Sequence, residues 1–133
     1  GTGASIILGG QRRGGRARLF LIYGAGNFIE ATEDTPFFQI GEHKYGKPIL
    51  DRVIEPSTPL PTALKAAFVS MDSTLRSNLS VGMPLDLAVM EAGSLRVDIR
   101  RRMEQDDPEF AKVSGAWGES LRDAFARLPE IVF

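Results

Sequence analysis

The chain has 133 residues with a hydrophobic fraction of 43%, which is typical of one globular domain with a modest core. Its formal net charge of −1 disfavours a nucleic-acid-binding protein that works through a broad basic surface. The chain contains no cysteine, which excludes thiolate zinc sites and cysteine nucleophiles within it, and no apolar run predicts a membrane span. No secretory signal is visible, so we expect a cytoplasmic protein.

The first part of the chain predicts four short strands between about residues 4 and 41. Each is a run of apolar, β-branched or aromatic residues bounded by Gly, Pro or Asn. The runs are residues 4–8, 18–23, 27–31 and 37–41. The basic, glycine-rich segment 11–16 is interpreted as a hairpin connection, and the first two strands are expected to be buried.

Two helices are predicted next, over about residues 47–55 and 60–80. Pro48 suits the first turn of the first helix, where a missing N–H costs nothing. The second helix carries one continuous apolar stripe that runs from Leu64 to Leu79. A second pair of strands is predicted within about residues 85–99, with the first over 85–90 and its partner over 95–99.

A last helix is predicted over about residues 107–128. Aspartates and Pro108 mark its start, and an apolar residue recurs every three or four positions. The stripe consists of Phe110, Val113, Trp117, Leu121, Phe125 and Leu128. This order of elements predicts a single α+β domain over residues 1–133, with helices laid on antiparallel sheets.

Three short motifs favour structural interpretations over chemical ones. Gly24-Ala25-Gly26 resembles the start of a dinucleotide-binding fingerprint, but Ile29 replaces the third glycine and no helix follows. His43 is the only histidine, and we see no second histidine at metal spacing, so a solvated loop is favoured over a metal site or a Ser-His-Asp triad. Thr2 follows Gly1 and is not interpreted as an N-terminal nucleophile.

Two arginine clusters are interpreted as surface features. Arg100, Arg101 and Arg102 are followed closely by acidic residues, so a solvated segment is favoured over a nucleic-acid-binding patch. The first hairpin is also basic, with four arginines at positions 12, 13, 16 and 18. A charge-protected sheet edge is the simpler interpretation, and a salt-bridging surface of an oligomer remains open.

The segment Arg76-Ser77-Asn78-Leu79-Ser80-Val81-Gly82 follows the second helix. On physical grounds, its small polar residues and glycine favour a C-terminal capping loop. The alternative is a set of hydrogen-bonding groups that point into a reaction centre.

Several long blocks of the sequence resemble the bacterial proteasome-type family called Anbu, whose members are related to proteasome β-subunits and the HslV protease. The blocks include FLIY at 20–23, AGNFIEAT at 25–32, PFFQIGE at 36–42, KYGKPILDRVI at 44–54 and DSTLRSNLSVG at 72–82. They match the C-terminal half of the family sequence. The resemblance implies the C-terminal half of an N-terminal-nucleophile hydrolase, which has a four-layer αββα sandwich.

The resemblance also implies site roles. Family members attack peptide bonds with an N-terminal threonine assisted by an aspartate and a lysine, all in the other half of the family sequence. Thr2 is not that threonine. Ser80 aligns with a serine that hydrogen-bonds near the threonine amine. Ser77 replaces an aspartate and brings no negative charge to raise the pKa of that amine.

Two functional hypotheses follow. In the first, the chain is a portion of a threonine peptidase subunit that acts on peptides or unfolded proteins, with Ser77 and Ser80 in supporting roles only. Its partners would be like subunits and the missing N-terminal half, and we expect no hydrolysis by this chain alone. In the second, it is a non-catalytic assembly module of the same fold. Neither hypothesis requires a cofactor, a metal, a nucleic acid or a membrane.

Overall fold

A computed structural model describes residues 3–133 and shows three helices and two antiparallel sheets within that range. The elements are β1 (Ile6–Gln11), β2 (Ala17–Ile22), β3 (Phe28–Glu30), α1 (Lys47–Val53), α2 (Leu60–Ser77), β4 (Leu85–Val89), β5 (Ile99–Met103) and α3 (Pro108–Ala126). This mixture confirms the predicted α+β class. None of these helices is both long and apolar enough to cross a membrane. Thr2 lies outside the described residues.

The first sheet has the strand order β1-β2-β3. β1 and β2 pair along their full length, so residues 12–16 form the predicted hairpin connection. At the second turn, the Tyr23 N–H donates to the carbonyl of Asn27 at 2.8 Å. Gly26 has a φ of 94°, which glycine adopts without the steric cost that other residues bear. The triplet 24–26 is therefore a hairpin turn, as predicted.

The hydrophobic core lies where α2 and α3 pack on the second sheet, which β4 and β5 form. Phe68, Met103 and Phe110 are its buried centre, and the two phenylalanine ring centroids lie 5.5 Å apart. Partly buried side chains surround this centre: Met71, Leu75, Met83, Leu85, Leu87 and Val113. The apolar stripe of α2 thus meets the first part of the α3 stripe, because residues three and four apart share a helix face. Further along the predicted stripe, Leu121, Phe125 and Leu128 stay exposed.

α1 begins with an unusually close approach to α2. Gly46 is buried, and a Cβ atom placed there would lie 2.0 Å from the Oγ of Ser70. Only a glycine fits this contact without movement of the neighbouring helix. The contact holds the segment before α1 against the middle of α2.

Two predicted strand assignments are wrong. Residues 37–41 form no strand, and the chain there is irregular up to α1. The partner of β4 is not 95–99 but Ile99–Met103, which includes the three arginines that the sequence placed on a solvated segment. The helix positions agree with the predictions, although α2 ends at Ser77 rather than near residue 80.

One face of the first sheet is largely uncovered. Cross-strand pairing and side-chain alternation place Ile6, Leu8, Phe20, Ile22 and Phe28 on this face. Ile6 and Leu8 are each 55% exposed, and Phe28 is 63% exposed. The expectation that the first strand is buried is therefore wrong for this chain by itself. We call these five residues the bare sheet face.

Candidate functional site

The segment after α2 is a capped turn. The Asn78 N–H closes the helix by donating to the carbonyl of Thr74 at 2.9 Å. The side-chain oxygen of Asn78 then accepts from the Ser80 N–H at 2.9 Å and from the Ser80 hydroxyl at 2.6 Å. An asparagine that hydrogen-bonds the backbone two residues onward is a recognised local alternative to helix continuation. The capping interpretation of this segment is thus satisfied by Asn78.

The structure places the two predicted site serines at the surface, three positions apart. Ser77 is the last residue of α2 and is exposed, and Ser80 is exposed in the turn that follows. The Ser80 hydroxyl is held by Asn78, so its direction is set by the turn. Their supporting roles at an active centre stay a prediction.

A partly buried polar contact anchors the end of α2 to α3. The hydroxyl of Ser114 donates to the carboxylate of Asp72 at 2.5 Å. Arg76 donates to the same carboxylate at 3.3 Å and to the Ser114 hydroxyl at 3.1 Å. The side chain of Asp72 is 9% exposed, so this carboxylate depends on these partners for its hydrogen bonds. The contact positions the residue immediately before Ser77.

The sequence contained only part of the signal for this contact. Asp72 and Arg76 are four residues apart, a spacing at which side chains on one helix meet. Ser114 lies 42 positions from Asp72, and no local pattern relates them.

The arginines of β5 are matched by carboxylates on neighbouring segments. Arg102 makes two hydrogen bonds to Asp86 across the sheet, at 2.8 and 3.0 Å. Arg101 donates to Asp107 at 2.6 Å, and Asp107 also accepts from the N–H of Phe110 as the N-cap of α3. The hydrogen bond from the Phe110 N–H lowers the pKa of Asp107 most, and the hydrogen bond from Arg101 lowers it further. These bonds engage two of the three arginines of β5, Arg101 and Arg102.

A cleft lies between the first sheet, the segment 33–39 and α1. Its volume is about 470 Å³, and its walls include the apolar side chains of Leu21, Phe37 and Phe38. Four carboxylates line it, from Glu33, Asp34, Asp51 and Glu55, and we call it the acidic cleft.

Two further polar side chains in the acidic cleft bear on what it could hold. The ammonium of Lys47 pairs with Asp51 at 2.8 Å, which neutralises one of the four carboxylates. Among residues 3–133, Gln39 has a buried side-chain oxygen with no hydrogen-bond partner. His43 also lines this cleft and is exposed, as expected for its loop.

The described residues contain no ready-made metal centre. Within 3–133, no group of three or more His, Asp or Glu side chains is arranged to bind a metal ion. In that same range, each serine or threonine hydroxyl that donates a hydrogen bond does so to a carbonyl, a carboxylate or an amide oxygen. No hydroxyl there is activated by a histidine or lysine base.

Comparison with solved structures identifies close relatives. The Anbu (ancestral beta-subunit) protein from Yersinia bercovieri is 53% identical over 97% of this chain, with a TM-score of 0.93. An Anbu protein from Hyphomicrobium sp. strain MC1 is 55% identical over 97% of the chain, with a TM-score of 0.94. A structure described as the helical assembly of the Anbu complex from Pseudomonas aeruginosa is 51% identical over 99%, with a TM-score of 0.95.

These matches cover nearly all of this chain but only 55% of each of those three proteins. The chain thus spans about half the length of the relatives it matches. No protein-family model and no curated protein sequence matches it.

Proposed function

This chain belongs to the Anbu family and corresponds to about half the length of the family members that it matches. We propose that it forms one portion of a proteasome-like threonine peptidase subunit. In this proposal, the chain supplies the supporting side of an active centre, and the attacking threonine lies on the portion of the relatives that it does not match. The family membership carries the proposal, because the family resemblance specifies the chemistry and the position of its nucleophile.

The bare sheet face supports the partial character of the unit. Ile6, Leu8 and Phe28 are each more than half exposed, although they lie on the two outer strands of one three-stranded sheet. Covering the exposed part of three such side chains is worth roughly 3–4 kcal/mol, which is a large share of a typical net stability. A second sheet that packs on this face would recover that free energy, as in a sandwich of sheets.

Ser77 and Ser80 have supporting roles in the proposal. Their hydroxyls lie at the surface of the chain, which is where groups that complete a site with another segment must lie. The Asn78 amide holds the Ser80 hydroxyl in one direction and so lowers the entropy cost of positioning a neighbouring amine. The arrangement provides orientation but no base.

A direct test combines this chain with the part of the Hyphomicrobium relative that it does not cover. We expect no turnover of a fluorogenic peptide by this chain alone and measurable turnover after the two parts assemble. Ser80→Ala should then lower kcat at least about tenfold with little change in KM, because positioning acts on the reacting state. Ser57→Ala, in an exposed turn between α1 and α2, is the matched control.

The results separate the two functional hypotheses. Turnover by this chain alone that disappears in the Ser80→Ala variant would overturn the assignment of supporting roles. A stable complex of the two parts that hydrolyses no peptide would favour the alternative, a non-catalytic assembly module. That alternative draws support from the absence, among residues 3–133, of a hydroxyl hydrogen-bonded to a histidine or lysine base.

We also propose that the chain associates with like copies. The Pseudomonas aeruginosa relative is described as a helical assembly, and the high identity to it makes shared contact surfaces the simplest expectation.

A further inference from the structure

We propose that the acidic cleft of one copy of this chain binds the arginine-rich tip of the first hairpin of another copy. The hypothesis deepens the proposed self-association by naming its two surfaces, and it does not depend on peptide hydrolysis. It starts from a feature that the family comparison leaves unexplained, the four arginines between β1 and the middle of β2.

The tip of the first hairpin carries charge that the chain itself leaves unbalanced. Arg18 makes two hydrogen bonds to Glu30, at 2.8 and 2.9 Å, and Arg16 lies 3.7 Å from the same carboxylate. Arg12 and Arg13 are exposed and have no carboxylate within 4.0 Å among residues 3–133. Within this group of residues, the charges of four arginines are therefore opposed by the charge of one glutamate, Glu30.

The acidic cleft carries the complementary excess. Its four carboxylates are opposed by one lysine, Lys47, which is already paired with Asp51. Glu33, Asp34 and Glu55 have no cation within 4.0 Å in the described part of the chain. Counting the formal charges of these arginine, lysine and carboxylate groups, the hairpin tip has three net positive charges and the cleft three net negative charges. Such matching gives orientation and partner choice to an interface.

The walls of the cleft also suit arginine in particular. Phe37 and Phe38 line it beside the carboxylates, and a guanidinium group can stack on an aromatic ring while it hydrogen-bonds a carboxylate. The chain already contains one such arrangement. The Arg18 guanidinium lies 4.9 Å from the ring centroid of Phe20 while it pairs with Glu30. A volume of about 470 Å³ can accept more than one arginine side chain.

The occupant must come from another molecule. Arg18, Phe20 and Glu30 lie on one face of the first sheet, whereas Leu21 and Ile29, which line the cleft, lie on the opposite face. The hairpin and the cleft are thus different surfaces, and a contact between them joins copies head to tail. Head-to-tail contacts produce closed rings when the rotation between copies closes, and open helices when it does not.

The test uses two charge-reversal variants and a matched control. Arg12→Glu/Arg13→Glu reverses the hairpin and leaves the cleft intact, and Glu33→Lys/Glu55→Lys does the opposite. The control, Arg122→Glu/Arg127→Glu, makes the same charge change on exposed arginines of α3 and just after it. Sedimentation velocity at about 50 mM and about 500 mM NaCl measures association, since exposed charge pairs weaken with salt. Circular dichroism confirms that each variant is folded.

Each reversal alone should weaken self-association about tenfold at low salt, and the control should leave it unchanged. An equimolar mixture of the two reversed variants should regain association, at least as complexes of two copies, because one variant retains a normal cleft and the other a normal hairpin. Association that ignores both salt and the reversals, or a mixture that fails to form complexes, would overturn the proposal. So would binding of an Arg-Arg peptide in the cleft without any association between copies. A failure of peptide hydrolysis leaves these readouts unaffected, so it is distinguishable from a failure of this interface.

Discussion

Replacing Gly46 by alanine should destabilise the chain through a single contact between α1 and α2. The added Cβ would lie 2.0 Å from the Oγ of Ser70, 3.2 Å from its Cβ and 2.9 Å from its carbonyl oxygen. Ser70 is only 3% exposed in the middle of α2, so its carbonyl moves only if the helix moves. The φ of Gly46 is −99°, which alanine adopts freely, so backbone strain does not contribute.

Two terms set the magnitude of this change. Overpacking of a close contact costs about 1–3 kcal/mol. Gly46 is also the N-cap of α1, a position where glycine is favoured over alanine by roughly 0.5 kcal/mol or more. We therefore expect the Gly46→Ala variant to lose about 2–3 kcal/mol of unfolding free energy. Urea denaturation followed by circular dichroism measures the loss.

Two further variants show whether the contact is the cause. The double variant Gly46→Ala/Ser70→Ala removes the hydroxyl that would lie 2.0 Å from the added Cβ but keeps the carbonyl oxygen at 2.9 Å. Adding Gly46→Ala to Ser70→Ala should therefore still cost stability, but less than adding Gly46→Ala to the wild-type chain. Gly118→Ala, inside α3 with only the Nη1 of Arg122 nearby at 3.5 Å, should instead stabilise by about 0.5–1 kcal/mol. An unfolding free energy of Gly46→Ala within about 0.5 kcal/mol of the wild-type value would refute this explanation.

Three other changes have defined outcomes in the same denaturation assay. Phe68→Ala should cost about 3–5 kcal/mol because the ring lies in the core, whereas Leu128→Ala, at a residue that is 61% exposed, should cost far less; equal losses would contradict the assigned core. Ser114→Ala should cost about 1–3 kcal/mol by removing a hydrogen bond from the buried carboxylate of Asp72, and an additive double-mutant cycle with Asp72→Ala would disprove this coupling. Asp107→Ala should destabilise the chain at about pH 7, and the difference from wild type should vanish as the pH falls to about 2. The reason is that a carboxylate whose pKa is lowered by folding stabilises the folded chain only while it is ionised. A difference that is independent of pH would show that the carboxylate charge at Asp107 contributes nothing.

The helices and turns could be predicted from the sequence because their signals are local. The apolar stripe over 107–128 predicted α3, which runs from Pro108 to Ala126, and Pro48 marked the first turn of α1. The hairpin turn at 24–26 followed from the missing third glycine and the absence of a helix after it. Likewise, the end of α2 at Ser77 lies within the polar segment that the sequence marked as a capping loop. Each of these depends on residues within a few positions of one another.

Strand positions and the contacts around the candidate site depended on partners far along the chain. Residues 37–41 have the composition of a strand, yet no neighbouring strand pairs with them, so their backbone groups form no ladder. Conversely, the charged run within β5 forms a strand because β4 pairs with it and Asp86 and Asp107 accept hydrogen bonds from its arginines. The acidic cleft and the contact between Asp72 and Ser114 likewise assemble from separate segments.

By itself, the sequence determined the α+β class, the family and the approximate positions of the helices. Both signals used, the apolar periodicity and the long matching blocks, consist of residues that are close together in the sequence. Only the tertiary structure decided which residues pair across sheets, which carboxylates share a cleft and which apolar face stays bare. The physical reason is that a strand needs hydrogen-bond partners, and a cleft needs walls, from segments that only folding brings together. A helix instead satisfies its backbone hydrogen bonds within its own segment.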